Sequence, residues 1–104
     1  MEQEGLALLK ALPKGARVVV LDIRGKTMSS EALARFLQKE ADSGTRDLCF
    51  IIGGAYGLSH EVLKAAHLRL SLSPMTFTHD MSRLILLEQL YRAATINAGE
   101  PYHH

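Results

Sequence analysis

The sequence predicts an α/β fold, a parallel sheet with flanking helices, and three observations carry that expectation. Arg17-Val18-Val19-Val20-Leu21-Asp22-Ile23 and Leu48-Cys49-Phe50-Ile51-Ile52 are nearly continuous in apolarity, the pattern of strands buried on both faces. Segments with helical spacing and capping residues separate the strand-like runs, which is the alternation that builds βαβ units. The chain has 104 residues, room for one core, so residues 1–104 read as a single domain.

Leu6, Leu8, Leu9 and Leu12 suggest a short first helix, stopped by Pro13-Lys14-Gly15. The first strand covers 17–23, and Arg24-Gly25-Lys26 is expected to end it. Ser29 and Ser30 can cap a helix over about 31–41, with Leu33, Phe36 and Leu37 on one face and Gly44 beyond its end. The second strand covers 48–52. Ser59 then caps a helix to about His67, with Glu61 at its positive end. Leu68-Arg69-Leu70-Ser71-Leu72-Ser73 alternates like a strand with one buried face. A loop over 74–79 follows, and Asp80 opens a long helix to about Ile96. On that helix Met81, Leu84, Ile85, Leu87, Leu90, Tyr91 and Ala94 form an apolar band wider than one face, which suggests a second partner surface. A three-stranded sheet has exposed edges, so either another chain covers them or part of the domain is missing.

Composition narrows the function. Apolar residues are 47% and charged residues 22%, and no run reaches the length of a membrane span. The acidic N-terminus lacks the features of a signal peptide, giving a cytoplasmic expectation. Twelve basic residues nearly balance eleven acidic ones, for a net charge of +1, so no global field favours nucleic acid. Cys49 is the single cysteine and reads as a small core residue. No metal-ligand spacing is present, and no metal is expected.

In an open parallel sheet, ligands bind beyond the carboxyl ends of the strands, where FIIGGAYGLSHEV places Gly53, Gly54 and Gly57. These glycines either make a tight turn or let the backbone approach a ligand. The stretch lacks the Gly-Lys-Ser/Thr of a triphosphate loop and the spacing of a dinucleotide loop, which leaves a smaller ligand with an apolar ring. His60 and His67, seven apart, are read as surface residues on one helix face. His79 either reaches the same pocket or serves as a capping or solvated residue. Glu88 and Arg92 form an i,i+4 pair. On composition alone the terminal histidines could be an appended tag.

Phe50-Ile51-Ile52-Gly53-Gly54, Gly57-Leu58-Ser59, Leu70-Ser71-Leu72-Ser73 with Met75-Thr76, then His79, Arg83, Leu87 to Ala93 and Pro101-Tyr102-His103 resemble the RlmH family in collinear order. These are SPOUT-class methyltransferases of ribosomal RNA. The resemblance implies a trefoil-knotted α/β fold, S-adenosylmethionine as methyl donor, a homodimer, and methylation at N3 of a pseudouridine in 23S rRNA of the assembled ribosome. It carries the cofactor contacts onto Leu21, Gly53, Leu72, Ser73, Pro74, Met75, Thr76 and Phe77, and makes the tail Tyr102-His103 native. His103 or His79 is then the candidate for assisting loss of the N3 proton or positioning the base, alongside Tyr102, with Arg92 or Arg83 contacting RNA. The chain departs from the family in two ways: it lacks the usual N-terminal strand and helix segment, as a truncated or misannotated start or a natural short form would, and Ala55-Tyr56 replaces the usual loop residues. The alternative reading is a catalytically silent, dimeric ribosome- or RNA-binding remnant of the same fold.

Overall fold

The computed structural model describes residues 2–53 and 58–104. Its elements run α1 (Glu2–Ala11), β1 (Arg17–Thr27), α2 (Ser30–Asp42), β2 (Leu48–Ile52), α3 (His60–Ala65), β3 (Leu68–Ser71) and α4 (His79–Ala98). The three strands form one parallel sheet in the order β2-β1-β3.

The central position of β1 explains its unbroken apolarity. Val18 and Val20 face one side, where Ile51 and Val62 complete a core supported by Leu9, Leu12 and Leu63. Val19 faces the other, with Leu33, Ala34, Leu70 and Ala93, and with Leu21 and Phe50 packed against them. Thus α1 and α3 cover one face while α2 and α4 cover the other, and both sides of a period-two strand must be apolar. Ser29 accepts from the Ala32 amide at 3.0 Å and Ser59 from the Val62 amide at 3.2 Å, so both serine caps stop the chain from continuing as coil into α2 and α3.

Four expectations need correction. First, β1 runs on through Arg24-Gly25-Lys26 to Thr27. Its register on β3 jumps, Leu21 and Lys26 both lying opposite Leu70, so residues 22–25 bulge out of the ladder. Gly25 permits this: a Cβ there would lie 2.5 Å from the Arg69 carbonyl oxygen. Second, β3 stops at Ser71, because Leu70 and Ser71 are both buried and the strict alternation ends there. Third, α3 ends at Ala65, so His67 shares no helix face with His60. His67 instead exchanges two hydrogen bonds with Val18, its Nδ1 accepting the Val18 amide at 2.9 Å and its own amide donating to the Val18 carbonyl at 2.8 Å. Fourth, α4 starts at His79, capped by Thr78, whose hydroxyl accepts the Met81 amide at 3.3 Å.

The wide apolar band of α4 divides in two. The fully buried apolar residues of α4 are Leu86 and Ala93, which the band omits. Met81, Leu84, Leu87 and Tyr91 form an outward stripe, 47%, 60%, 54% and 57% exposed. Gly99, at φ 73°, ends the helix in the left-handed conformation and turns the chain into the tail.

Candidate functional site

A cavity of about 640 Å³ opens at the carboxyl end of the sheet. β1 contributes Leu21 and the bulge residues Asp22, Ile23 and Arg24; β2 contributes Ile52 and Gly53; the segment after β3 contributes Leu72, Ser73, Met75, Thr76 and Phe77. Leu70 on β3, Leu58 before α3 and Leu63 on it, with Thr78, His79 and Ser82 around the start of α4, complete the wall. The location follows from the topology: all three strands point the same way, so their outgoing loops meet at one end.

The loop after β3 is tied down by its own serines. The Ser71 hydroxyl donates to the Ser73 carbonyl at 3.0 Å, and the Ser73 hydroxyl accepts the Met75 amide at 3.0 Å. These bonds close a local turn over residues 71–75 beside the cavity, with Met75 72% exposed. The volume and the mainly aliphatic wall suit a flat, apolar ring system with polar edges. One polar group stands out against that wall. The Asp22 side chain is 9% exposed, its Oδ1 accepts the Arg24 amide at 3.2 Å, and its buried Oδ2 has no hydrogen-bond partner among the described residues.

Seven of the eight residues expected to bind cofactor therefore share one cavity: Leu21, Gly53, Leu72, Ser73, Met75, Thr76 and Phe77. Pro74 belongs to the same loop but lies off the wall, and it is exposed. His79 joins the cavity. Ala55-Tyr56, like Gly54 and Gly57, lies outside the described residues. Asp22, Ile23 and Arg24 were not expected there, because the sequence offers no sign of the bulge that brings them in.

Arg92, Tyr102 and His103 lie in a separate cluster and do not line the cavity. Arg92 donates to Glu88 at 2.9 Å and stacks over the Tyr102 ring at 4.9 Å, while Tyr102 donates to Glu88 at 3.2 Å. The Arg92 guanidinium also lies 3.0 Å from His103 Nδ1. A guanidinium only donates, so Nδ1 is the acceptor and the proton of the neutral ring sits on Nε2, which faces Glu31 Oε1 at 3.5 Å. The Arg92 hydrogen bond, followed by those of Tyr102 and Gln89, holds the Glu88 carboxyl below the ordinary carboxylate value. Glu31 is lowered chiefly by its backbone hydrogen bond, with help from His103.

The family model described as "Predicted SPOUT methyltransferase" matches residues 1–103. The chain belongs to the SPOUT methyltransferase family. Relatives named "Ribosomal RNA large subunit methyltransferase H" are 60% identical over 103 residues in Geotalea daltonii and 58% identical over 102 residues in Desulfotalea psychrophila. Those alignments cover 99% and 98% of this chain and 67% of each relative. A third, from Halothermothrix orenii, is 57% identical over 98% of this chain and 64% of its own length. The chain thus spans about two thirds of the length of these SPOUT relatives. A methyl donor is the cofactor this family implies. Among the described residues, no helix is long and apolar enough to cross a membrane, and no three His, Cys, Asp or Glu residues are grouped to hold a metal ion.

Proposed function

We propose that this chain is an S-adenosylmethionine-dependent methyltransferase that acts, as a homodimer, on N3 of a pseudouridine in 23S rRNA of the assembled ribosome. The observation that carries the reading is the convergence of Leu21, Gly53 and the loop after β3 on one cavity in a SPOUT methyltransferase. Leu21 and Leu72 offer aliphatic surface to the adenine faces, and Gly53 and the loop backbone of residues 72–77 supply polar groups for its edges. The cofactor brings an electrophilic methyl group on a sulfonium. The task of the protein is to align that methyl with the acceptor nitrogen and to accommodate the departing N3 proton.

His79, on the cavity wall, is in place to face an incoming base. His103 acts from the tail cluster, with Arg92, itself stacked on Tyr102, holding its ring, and with Arg92 or Arg83 meeting RNA. The dimer reading rests on the outward stripe of α4. Tyr91 in that stripe meets Tyr102 edge-on, ring centroids 4.9 Å apart, so docking a second copy there sets both tails at the interface. Sedimentation should give a dimer, and Leu84→Glu with Leu87→Glu should give a monomer; a wild-type monomer at micromolar concentration contradicts the assembly.

The deciding experiment is transfer of labelled methyl from S-adenosylmethionine to ribosomes unmodified at the target pseudouridine. Incorporation at N3 supports the enzyme. A folded dimer that transfers nothing to those ribosomes points to the silent, RNA-binding form of the same fold.

A further inference from the structure

Asp22 is the group in the cavity that nothing above uses. It lies at the point where β1 leaves its ladder with β3, held there by the bulge over residues 22–25 and by the close approach of Gly25 to the Arg69 backbone. Its side chain is nine-tenths buried, yet the polar contacts of the carboxylate among the described residues, the Arg24 amide at 3.2 Å and the Arg24 guanidinium at 3.6 Å, both fall on Oδ1. Oδ2 is buried without a partner among the described residues. Desolvating a carboxylate oxygen without a donor is unfavourable, so an arrangement that keeps one beside a ligand cavity points to a donor that arrives with the ligand. The rest of the wall is mainly aliphatic, which leaves Asp22 as its carboxylate among the described residues.

We propose that the Asp22 carboxylate is a binding residue for the methyl donor, accepting a hydrogen bond from an N–H or O–H of the bound molecule. This rests on the methyl-donor reading of the cavity. The chemistry required is a polar hydrogen facing the β1 bulge, and S-adenosylmethionine offers it on the ribose diol, on the adenine amine and on the α-ammonium. The hydrogen bond would be charge-assisted and so stronger than one to a neutral acceptor.

Calorimetry on wild type and Asp22→Asn tests it with three probes: S-adenosylmethionine, S-adenosylhomocysteine and adenosine. Asn keeps the shape, can still accept the Arg24 amide, and turns an amide donor toward the position of Oδ2. The expected result is a loss of affinity of roughly 10- to 100-fold with no fall in Tm, because the substitution removes a buried charge. An equal loss for all three probes puts the partner on the nucleoside. A loss confined to the two sulfur compounds puts it on the amino-acid part, whereas a loss for S-adenosylmethionine alone, whose sulfonium carries no N–H or O–H, overturns the hydrogen bond. Undiminished binding by Asp22→Asn overturns the proposal, as does a lowered Tm with unchanged affinity, which marks a residue that only holds the bulge. Asp22→Ser is measured in parallel, and its binding decides the matter if the asparagine variant does not fold. No binding of any probe by folded wild type overturns the methyl-donor reading itself, and the Asp22 proposal with it; wild-type binding without an effect of Asp22 overturns the latter alone.

Discussion

The cavity and the tail cluster are built in opposite ways. The cavity is mainly apolar, bordered by a loop held by two serine hydrogen bonds, and contains a carboxylate oxygen without a partner among the described residues. In the tail, by contrast, Glu88, Arg92, Tyr102, His103 and Glu31 contact one another in an unbroken chain near the surface. A site that must receive a ligand leaves interactions open, whereas a segment that must be held in place closes them. Buried, unfilled polarity is costly, so it persists where occupation can offset it. Exposed ion pairs are individually weak, and several are needed to fix a short tail.

That contrast can be broken most severely at Gly25. Gly25→Ala drives a Cβ against the Arg69 carbonyl, where backbone has no room to yield, and should destabilise the protein by roughly 3 kcal/mol in urea denaturation while abolishing donor binding. Unchanged stability would mean that the bulge does not depend on this approach. Leu72→Ala removes part of the aliphatic wall but touches no hydrogen bond, and calorimetry should show S-adenosylmethionine binding about tenfold weaker with the fold intact. Arg92→Ala acts on the other region. It should release the tail, seen as faster amide exchange at Tyr102 and His103, with a fall in Tm of roughly a few degrees and little change in donor affinity. Equal loss of donor binding in Arg92→Ala and Leu72→Ala would erase the distinction between the regions.

The smallest expected effect is that of acid. The folded pKa values of Glu88 and Glu31 lie below their ordinary 4.5, so each carboxylate stabilises the fold above that value, Glu88 through Arg92 and Tyr102 and Glu31 chiefly through its backbone hydrogen bond with a smaller part from His103. The contribution is lost as pH falls below 4.5 through the lowered values. Protection of the Tyr102 amide, measured against the intrinsic exchange rate at each pH, should therefore fall below pH 4.5, and constant protection down to full carboxylate protonation would show that these pairs do not hold the tail.

How much of this was legible in the sequence follows from which interactions are local. Val18 to Leu21 and Leu48 to Ile52 were readable because burial on both faces leaves a continuous apolar run. Ser29 and Ser59 were readable as caps because a cap bonds within three residues. The bulge was not. Arg24-Gly25-Lys26 reads as a strand end, and only the backbone of β3, more than forty residues later, makes Gly25 a packing residue and brings Asp22 to the cavity. His67 was misplaced for the same reason, since its partners are the backbone groups of Val18. On α4, apolar spacing signalled a second surface but left the buried Leu86 and Ala93 out of the band. Periodicity fixes the angle between side chains and not the direction in which the core lies, and here Leu86 and Ala93 point inward. Seven of the expected cofactor positions fell on one wall because they sit at the ends of parallel strands, a relation that the order of elements already determines.

The central claim is that the methyl donor binds in the cavity at the carboxyl end of the sheet. Backbone amide NMR on the ¹⁵N-labelled chain, titrated with S-adenosylmethionine, tests it most directly. The largest shifts should fall on Leu21, Asp22, Gly53 and residues 72–77 excepting the amide-less Pro74, with smaller ones at His79. Shifts concentrated instead at the amino-terminal end of the sheet, around Lys14, Arg17 and Gly44 to Asp47, or no shifts at saturating donor, would contradict it.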